Sequence, residues 1–147
     1  MSSEAEKGQV EIRIFKRFAA AAGLNFSSVE KQSPEEGKPD LKCRFNGKVI
    51  FFELTEACSE DVAKAVAHEQ ALTESAATNI RDYTSETYQK KINKHYAVTE
   101  PVELLIYNIG RTILPDEVLI NNIRAIADKN KGQFSKVWYF NKHAVEI

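Results

Sequence analysis

The chain has 147 residues, 43% hydrophobic and 28% charged, the make-up of one ordinary globular domain rather than a disordered or fibrous chain. Its 20 Lys and Arg against 21 Asp and Glu leave a net charge of −1, which excludes a protein that coats nucleic acid non-specifically, since that binding runs on an excess of basic groups. No apolar run approaches the ~18 residues of a membrane-spanning helix, so no membrane partner is expected.

The polar start Met1-Ser2-Ser3-Glu4-Ala5-Glu6-Lys7-Gly8 lacks the apolar centre of a signal peptide. Residues 1–8 read as a disordered tail, residues 9–147 as a single domain, and the location as cytoplasmic. Two cysteines, Cys43 and Cys58, form no framework and read as reduced thiols. Residues 10–22 predict the first helix, with Val10, Ile14, Phe18 and Ala21 on one face and Gly23 as the stop. Glu11 flanks that stripe, where an acid near the start also suits the helix dipole. Residues 25–29 predict a short strand, and residues 31–38, rich in Ser, Pro, Gly and charge, predict a loop.

The strongest signal follows, between Pro39 and Thr55. Asn46-Gly47 fits a two-residue type I′ turn, because both central positions need positive φ and these two residues tolerate it best. Phe45 then faces Lys48, and counting outward brings Asp40 opposite Glu53 on one face, with Cβ atoms roughly 4.5–5.5 Å apart. Like charges placed so destabilise a sheet. A divalent cation is the simplest compensation, since Mg²⁺ or Mn²⁺ takes oxygen ligands from one or two carboxylates and keeps positions for water and phosphate. The bland alternative is a hairpin that frays before Asp40, leaving a solvated Pro-Asp turn.

Residues 59–72 predict a helix capped by Ser59, with Val62, Ala63, Val66 and Ala67 inward. His68-Glu69 opens the H-E-x-x-H zinc pattern, but Leu72 stands where the second His belongs, and His95 and His143 have no partner at ligand spacing; no structural zinc is expected. Residues 73–85 predict a helix end and a loop, and residues 86–96 another helix on Tyr88, Ile92 and Tyr96. Lys90, Lys91, Lys94 and His95 gather positive charge there, as Lys38, Lys42, Arg44 and Lys48 do around the hairpin. Val102-Glu103-Leu104-Leu105-Ile106-Tyr107 predicts a central strand covered on both faces. Residues 115–130 predict the last long helix, opened by Pro115 and carrying Leu119, Ile123 and Ile126 as its stripe. Val137-Trp138-Tyr139-Phe140 predicts the final strand, its aromatics serving core and edge packing rather than base stacking.

Pro39-Asp40 and Glu53-Leu54-Thr55, set within the order helix, strand, hairpin, helices, strand, helix, strand, resemble the PD-(D/E)XK nuclease-like, or restriction-endonuclease-like, superfamily. The signature there is a Pro-Asp at the start of one strand and a Glu-x-Lys in the next; Thr55 stands where the lysine belongs. The resemblance implies an α/β fold, a mixed central sheet of about five strands flanked by helices on both faces. It implies a metal-dependent nuclease in which Asp40 and Glu53 hold Mg²⁺ or Mn²⁺, with Glu11 on the first helix reaching the same metal. The substrate would be nucleic acid, DNA in preference to RNA, and cutting duplexes with two active sites would suit a homodimer. Members of the superfamily move the lysine to a neighbouring helix, and Lys91, one turn after Tyr88 and beside Ile92, is the candidate here, with Lys94 in reserve and Lys38 third. Other members have lost the lysine along with activity, so the same residues also fit a non-catalytic binding or regulatory module.

Overall fold

In the computed structural model, which describes residues 4–58 and 82–147, the hairpin turn has the backbone its sequence asks for: Asn46 at φ 53° and Gly47 at φ 77°. It joins β2 (Leu41–Phe45) to β3 (Lys48–Glu56), paired from Phe45 with Lys48 to Leu41 with Phe52. Ahead of it, β1 (Ser28–Lys31) lies antiparallel on β2, Lys31 opposite Leu41. After it, β4 (Val102–Tyr107) and β5 (Phe134–Asn141) add in parallel, and β6 (His143–Glu146) folds back antiparallel on β5. The result is one mixed six-stranded sheet in the order β1-β2-β3-β4-β5-β6. The α-helices among the described residues are α1 (Glu4–Ala22), α2 (Tyr83–Ile92) and α3 (Asp116–Lys129). None of the described helices is long and apolar enough to cross a membrane.

Both faces of the sheet are covered, which is why β4 is buried without alternation and, Glu103 apart, built of apolar and aromatic residues. One face packs Phe15 and Phe18 of α1 on Leu41, Cys43, Phe52, Leu54, Leu105, Trp138 and Phe140. Here the rings of Phe15 and Phe52 meet edge-on at 4.7 Å, and those of Phe18 and Trp138 at 5.2 Å. Each such pair contributes about 0.5–1.5 kcal/mol beyond the area it buries. The opposite face packs Tyr88 of α2 and Leu119, Ile123 and Ala127 of α3 on Val102, Leu104, Ile106, Val137 and Tyr139. The aromatic run of β5 is therefore core.

Several boundaries differ from the sequence expectation. Among the described residues six strands stand where about five were expected, because Lys142 at φ 63° turns the chain sharply and lets its last residues pair as β6. The first helix begins at Glu4, so residues 4–8, expected as tail, are helical. Its buried face is also rotated. Val10 is 46% exposed and Ala21 is exposed, while Phe15 and Ala19 join Ile14 and Phe18 inside, since the sheet's aromatic cluster recruits Phe15. The first strand starts at Ser28 and runs to Lys31, two residues past its expected end and onto the first residue of the expected loop, because pairing with β2 satisfies its backbone. The second helix starts at Tyr83, three residues ahead of the expected start, capped by Asp82, which accepts the Ser85 N–H at 2.9 Å. The helix and loop expected over residues 59–81 lie outside the described residues.

Candidate functional site

The base of the hairpin is where the charges converge. Regular pairing ends at Leu41 and Phe52, and Pro39 has no N–H to continue it. Two side-chain bonds carry the register one step further. The Asp40 N–H donates to Glu53 Oε1 at 3.1 Å, and the Leu54 N–H donates to Asp40 Oδ2 at 2.8 Å. Each carboxylate thus caps backbone on the other strand, and the two acids sit together at a point that otherwise would fray.

Glu53 is only 2% exposed. Burial raises its pKa, the Asp40 charge raises it further, and the Lys91 ammonium pulls in the opposite direction without cancelling them. Lys91 Nζ, on α2, donates to Glu53 Oε2 at 2.6 Å, and Lys94 Nζ stands 3.8 Å from the same oxygen, over the Tyr96 ring. Of the three lysines weighed to replace the one missing at Thr55, Lys91 and Lys94 reach Glu53. Lys38 instead pairs with Glu36 at 3.0 Å, since the loop before Pro39 carries it towards its own acid. Thr55 is buried on β3, two residues past Glu53 and so on the same face.

Glu11 approaches from α1 and is buried as well. Its Oε1 accepts from Lys31 Nζ at 2.8 Å, and that same ammonium stands 3.6 Å from Asp40 Oδ1. Burial raises the Glu11 pKa; the Lys31 bond opposes this. For Lys31, burial would lower the pKa, but the Glu11 hydrogen bond and the Asp40 charge outweigh it and hold it above the ordinary lysine value. Among the described residues, no three His, Cys, Asp or Glu side chains gather at metal-binding spacing. Lys31 is what joins Glu11 to the pair.

Lys31 lies at the start of the segment whose composition predicts a loop, which hides it as a site residue. Extending the alternation from Val29 by two residues would have placed it on the strand. The helical spacing of Tyr88, Ile92 and Tyr96 predicts only a packing role for Tyr96. Its hydroxyl is fully buried, and no contact with it has hydrogen-bond geometry among the described residues, although burial and then the Glu53 charge push its pKa up. Glu103, the other buried strand carboxylate, takes no part: it accepts from Trp138 Nε1 at 2.7 Å.

The position of the two lysines is itself held from outside. Gln133 pairs with the Tyr96 backbone in both directions, accepting its N–H at 2.8 Å and donating to its carbonyl at 3.1 Å. Gly132, at φ 61°, lies so close to the end of α2 that a Cβ there would stand 2.5 Å from the Ile92 carbonyl oxygen. The turn before β5 thus clamps the end of α2 that carries Lys91 and leads to Lys94.

Compared with protein-family models, curated proteins and solved structures, the chain matches none. What the site can do rests on its chemistry. Two carboxylates from adjacent strands form a hard oxygen donor set of the kind Mg²⁺ and Mn²⁺ take. The buried Tyr96 hydroxyl, which faces Glu53 without well-formed hydrogen-bond geometry among the described residues, is suited to meet a water molecule brought with such an ion.

Proposed function

We propose that this protein is a metal-dependent nuclease that hydrolyses phosphodiester bonds of nucleic acid, with Asp40 and Glu53 holding Mg²⁺ or Mn²⁺. The observation that carries the reading is the meeting of Asp40 and Glu53 at the hairpin base, with the Lys91 ammonium 2.6 Å from Glu53. The order of elements supports it too: a helix, an antiparallel three-strand meander, a helical crossover and a parallel fourth strand agree with a restriction-endonuclease-like core.

A divalent ion there would supply Lewis acidity, bringing the pKa of water towards neutrality and offsetting phosphate charge. The rest falls to the chain's own residues. Asp40 and Glu53 are fixed by the Leu54 and Asp40 N–H groups, so their oxygens need little rearrangement on binding. Lys91 is a cation within reach of the same carboxylate, able to orient water and stabilise the charge that develops on the phosphate. Its position on α2 fills the role Thr55 cannot.

One observation favours a second reading. Both carboxylates already have intramolecular cations, Lys31 beside Asp40 and Lys91 on Glu53, so the cluster has countercharges of its own. A non-catalytic binding or regulatory module on the same fold would need nothing more.

The two readings separate in one experiment. Labelled single- and double-stranded DNA and RNA are incubated with the wild type, Asp40→Asn and Glu53→Gln in Mg²⁺, in Mn²⁺ and in chelator. The nuclease reading expects cleavage that requires the ion and both carboxylates. No cleavage of any substrate, with no Mn²⁺ bound in calorimetry, leaves the second reading standing.

A further inference from the structure

We propose that the Lys31 ammonium fills the place of a second cation between Glu11 and Asp40, so that the site binds one divalent ion rather than two. This rests on the reading of Asp40 and Glu53 as the metal-holding pair.

Glu11 is 5% exposed, and a carboxylate so buried is costly unless it meets a positive partner. Lys31 is that partner at 2.8 Å, and it stands 3.6 Å from Asp40 Oδ1. One positive point therefore spans two carboxylates that come from different elements, which is the job of a bridging ion. In sites built for two divalent ions, the ions sit roughly 3.5–4 Å apart and clamp the attacking and leaving oxygens between them. Here a second ion between Glu11 and Asp40 would need the space of the ammonium.

That space is built for Lys31. It is the last residue of β1, held opposite Leu41 by the β1–β2 ladder. Its stem passes over Gly8 of α1, where a Cβ would come within 3.1 Å of Lys31 Cγ and 3.3 Å of Cδ. The helix leaves that side chain room by having none of its own. Lys91 and Lys94 engage Glu53 instead, and among the described residues Lys31 is the cation in contact with both Glu11 and Asp40, with Lys7 adding a weaker charge near Glu11.

The test counts ions and uses the full chain with Mn²⁺ alone as probe. Calorimetry should give one Mn²⁺ per wild-type chain, lost in Asp40→Asn, and Lys31→Arg should still bind one. Lys31→Met, which frees Glu11 and Asp40, should bind two, and the pair should show Mn–Mn coupling in its electron paramagnetic resonance spectrum. If Lys31→Met folds poorly, its thermal melt gives the same information: Mn²⁺ restores the fold when the ion takes the ammonium's place, and failure to restore it overturns the proposal. Two ions on the wild type, or one on a folded Lys31→Met chain, also overturn it. Those results leave the nuclease reading intact as long as Asp40→Asn abolishes wild-type binding. No ion on the wild type overturns both.

Discussion

Lys91 Nζ and Glu53 Oε2 lie 2.6 Å apart although 38 residues separate them in the chain. The lysine side chain is 23% exposed and the carboxylate side chain 3%, so the bond joins a reachable cation to a nearly buried anion. A group so placed can serve chemistry at the surface while its partner is fixed inside.

On the proposed nuclease reading, Lys91→Ala should cut turnover by about 10²–10³-fold, the usual cost of removing one electrostatic stabiliser from an otherwise intact site. It should also cost about 1–3 kcal/mol of stability, because a buried carboxylate loses its charged partner. Single-turnover cleavage and urea unfolding measure the two effects. Full activity in the variant, beside a wild type that depends on Asp40 and Glu53, would move the role to Lys94.

Asp40→Asn should abolish Mn²⁺ binding while changing stability by no more than about 1 kcal/mol, since the amide oxygen can still accept the Leu54 N–H. It should also lower the Glu53 pKa, because the neighbouring negative charge that helps to raise it is gone. Carboxyl carbon NMR of Glu53 across a pH series reads this shift directly. An unmoved titration would mean that the two acids do not share one field.

The metal-free protein should lose stability through Glu53 as pH rises. Folding lifts this carboxyl above its ordinary value of 4.5, so the folded state holds the proton more tightly than the unfolded chain does. The contribution is complete below about pH 4.5 and disappears as pH climbs through the folded-state value. Glu11 acts with the same sign, so the effect is isolated by subtracting Glu53→Gln. Urea unfolding of both chains in chelator, stepped from about pH 4 to 8, should show the wild-type advantage falling and then levelling. A difference independent of pH contradicts the raised carboxyl.

Gly132→Ala should destabilise the protein by about 1–3 kcal/mol, since alanine is strained at positive φ and its methyl would collide with the Ile92 carbonyl. Relief by movement of α2 would carry Lys91 away from Glu53. Turnover should therefore drop in the variant even where it remains fully folded, as judged by circular dichroism. Unchanged turnover would mean that the clamp does not set the position of Lys91.

The hairpin was legible because its information is local. Asn46-Gly47 dictates the turn, the turn dictates the register, and the register sets Asp40 against Glu53 without help from the rest of the chain. The apolar run from Val102 to Tyr107 announced a strand covered on both faces for the same reason: burial on two sides leaves its mark in consecutive residues. Of Lys38, Lys91 and Lys94, the place beside the Tyr88 and Ile92 stripe singles out Lys91 in the sequence, but its distance to Glu53 depends on where the α2 crossover sets down against β3. That is settled by packing across the sheet and by Gly132 and Gln133, residues outside the helix. Alternation from Val29 can place Lys31 on a strand, but its contacts with Glu11 and Asp40, like the rotation of α1, were decided by tertiary structure. A β1 edge strand draws its order from pairing with β2 rather than from its own sequence, and α1 turns so that Phe15 joins rings contributed by distant strands. Contacts of that kind depend on residues brought together only when the sheet closes, so no local pattern in either segment records them.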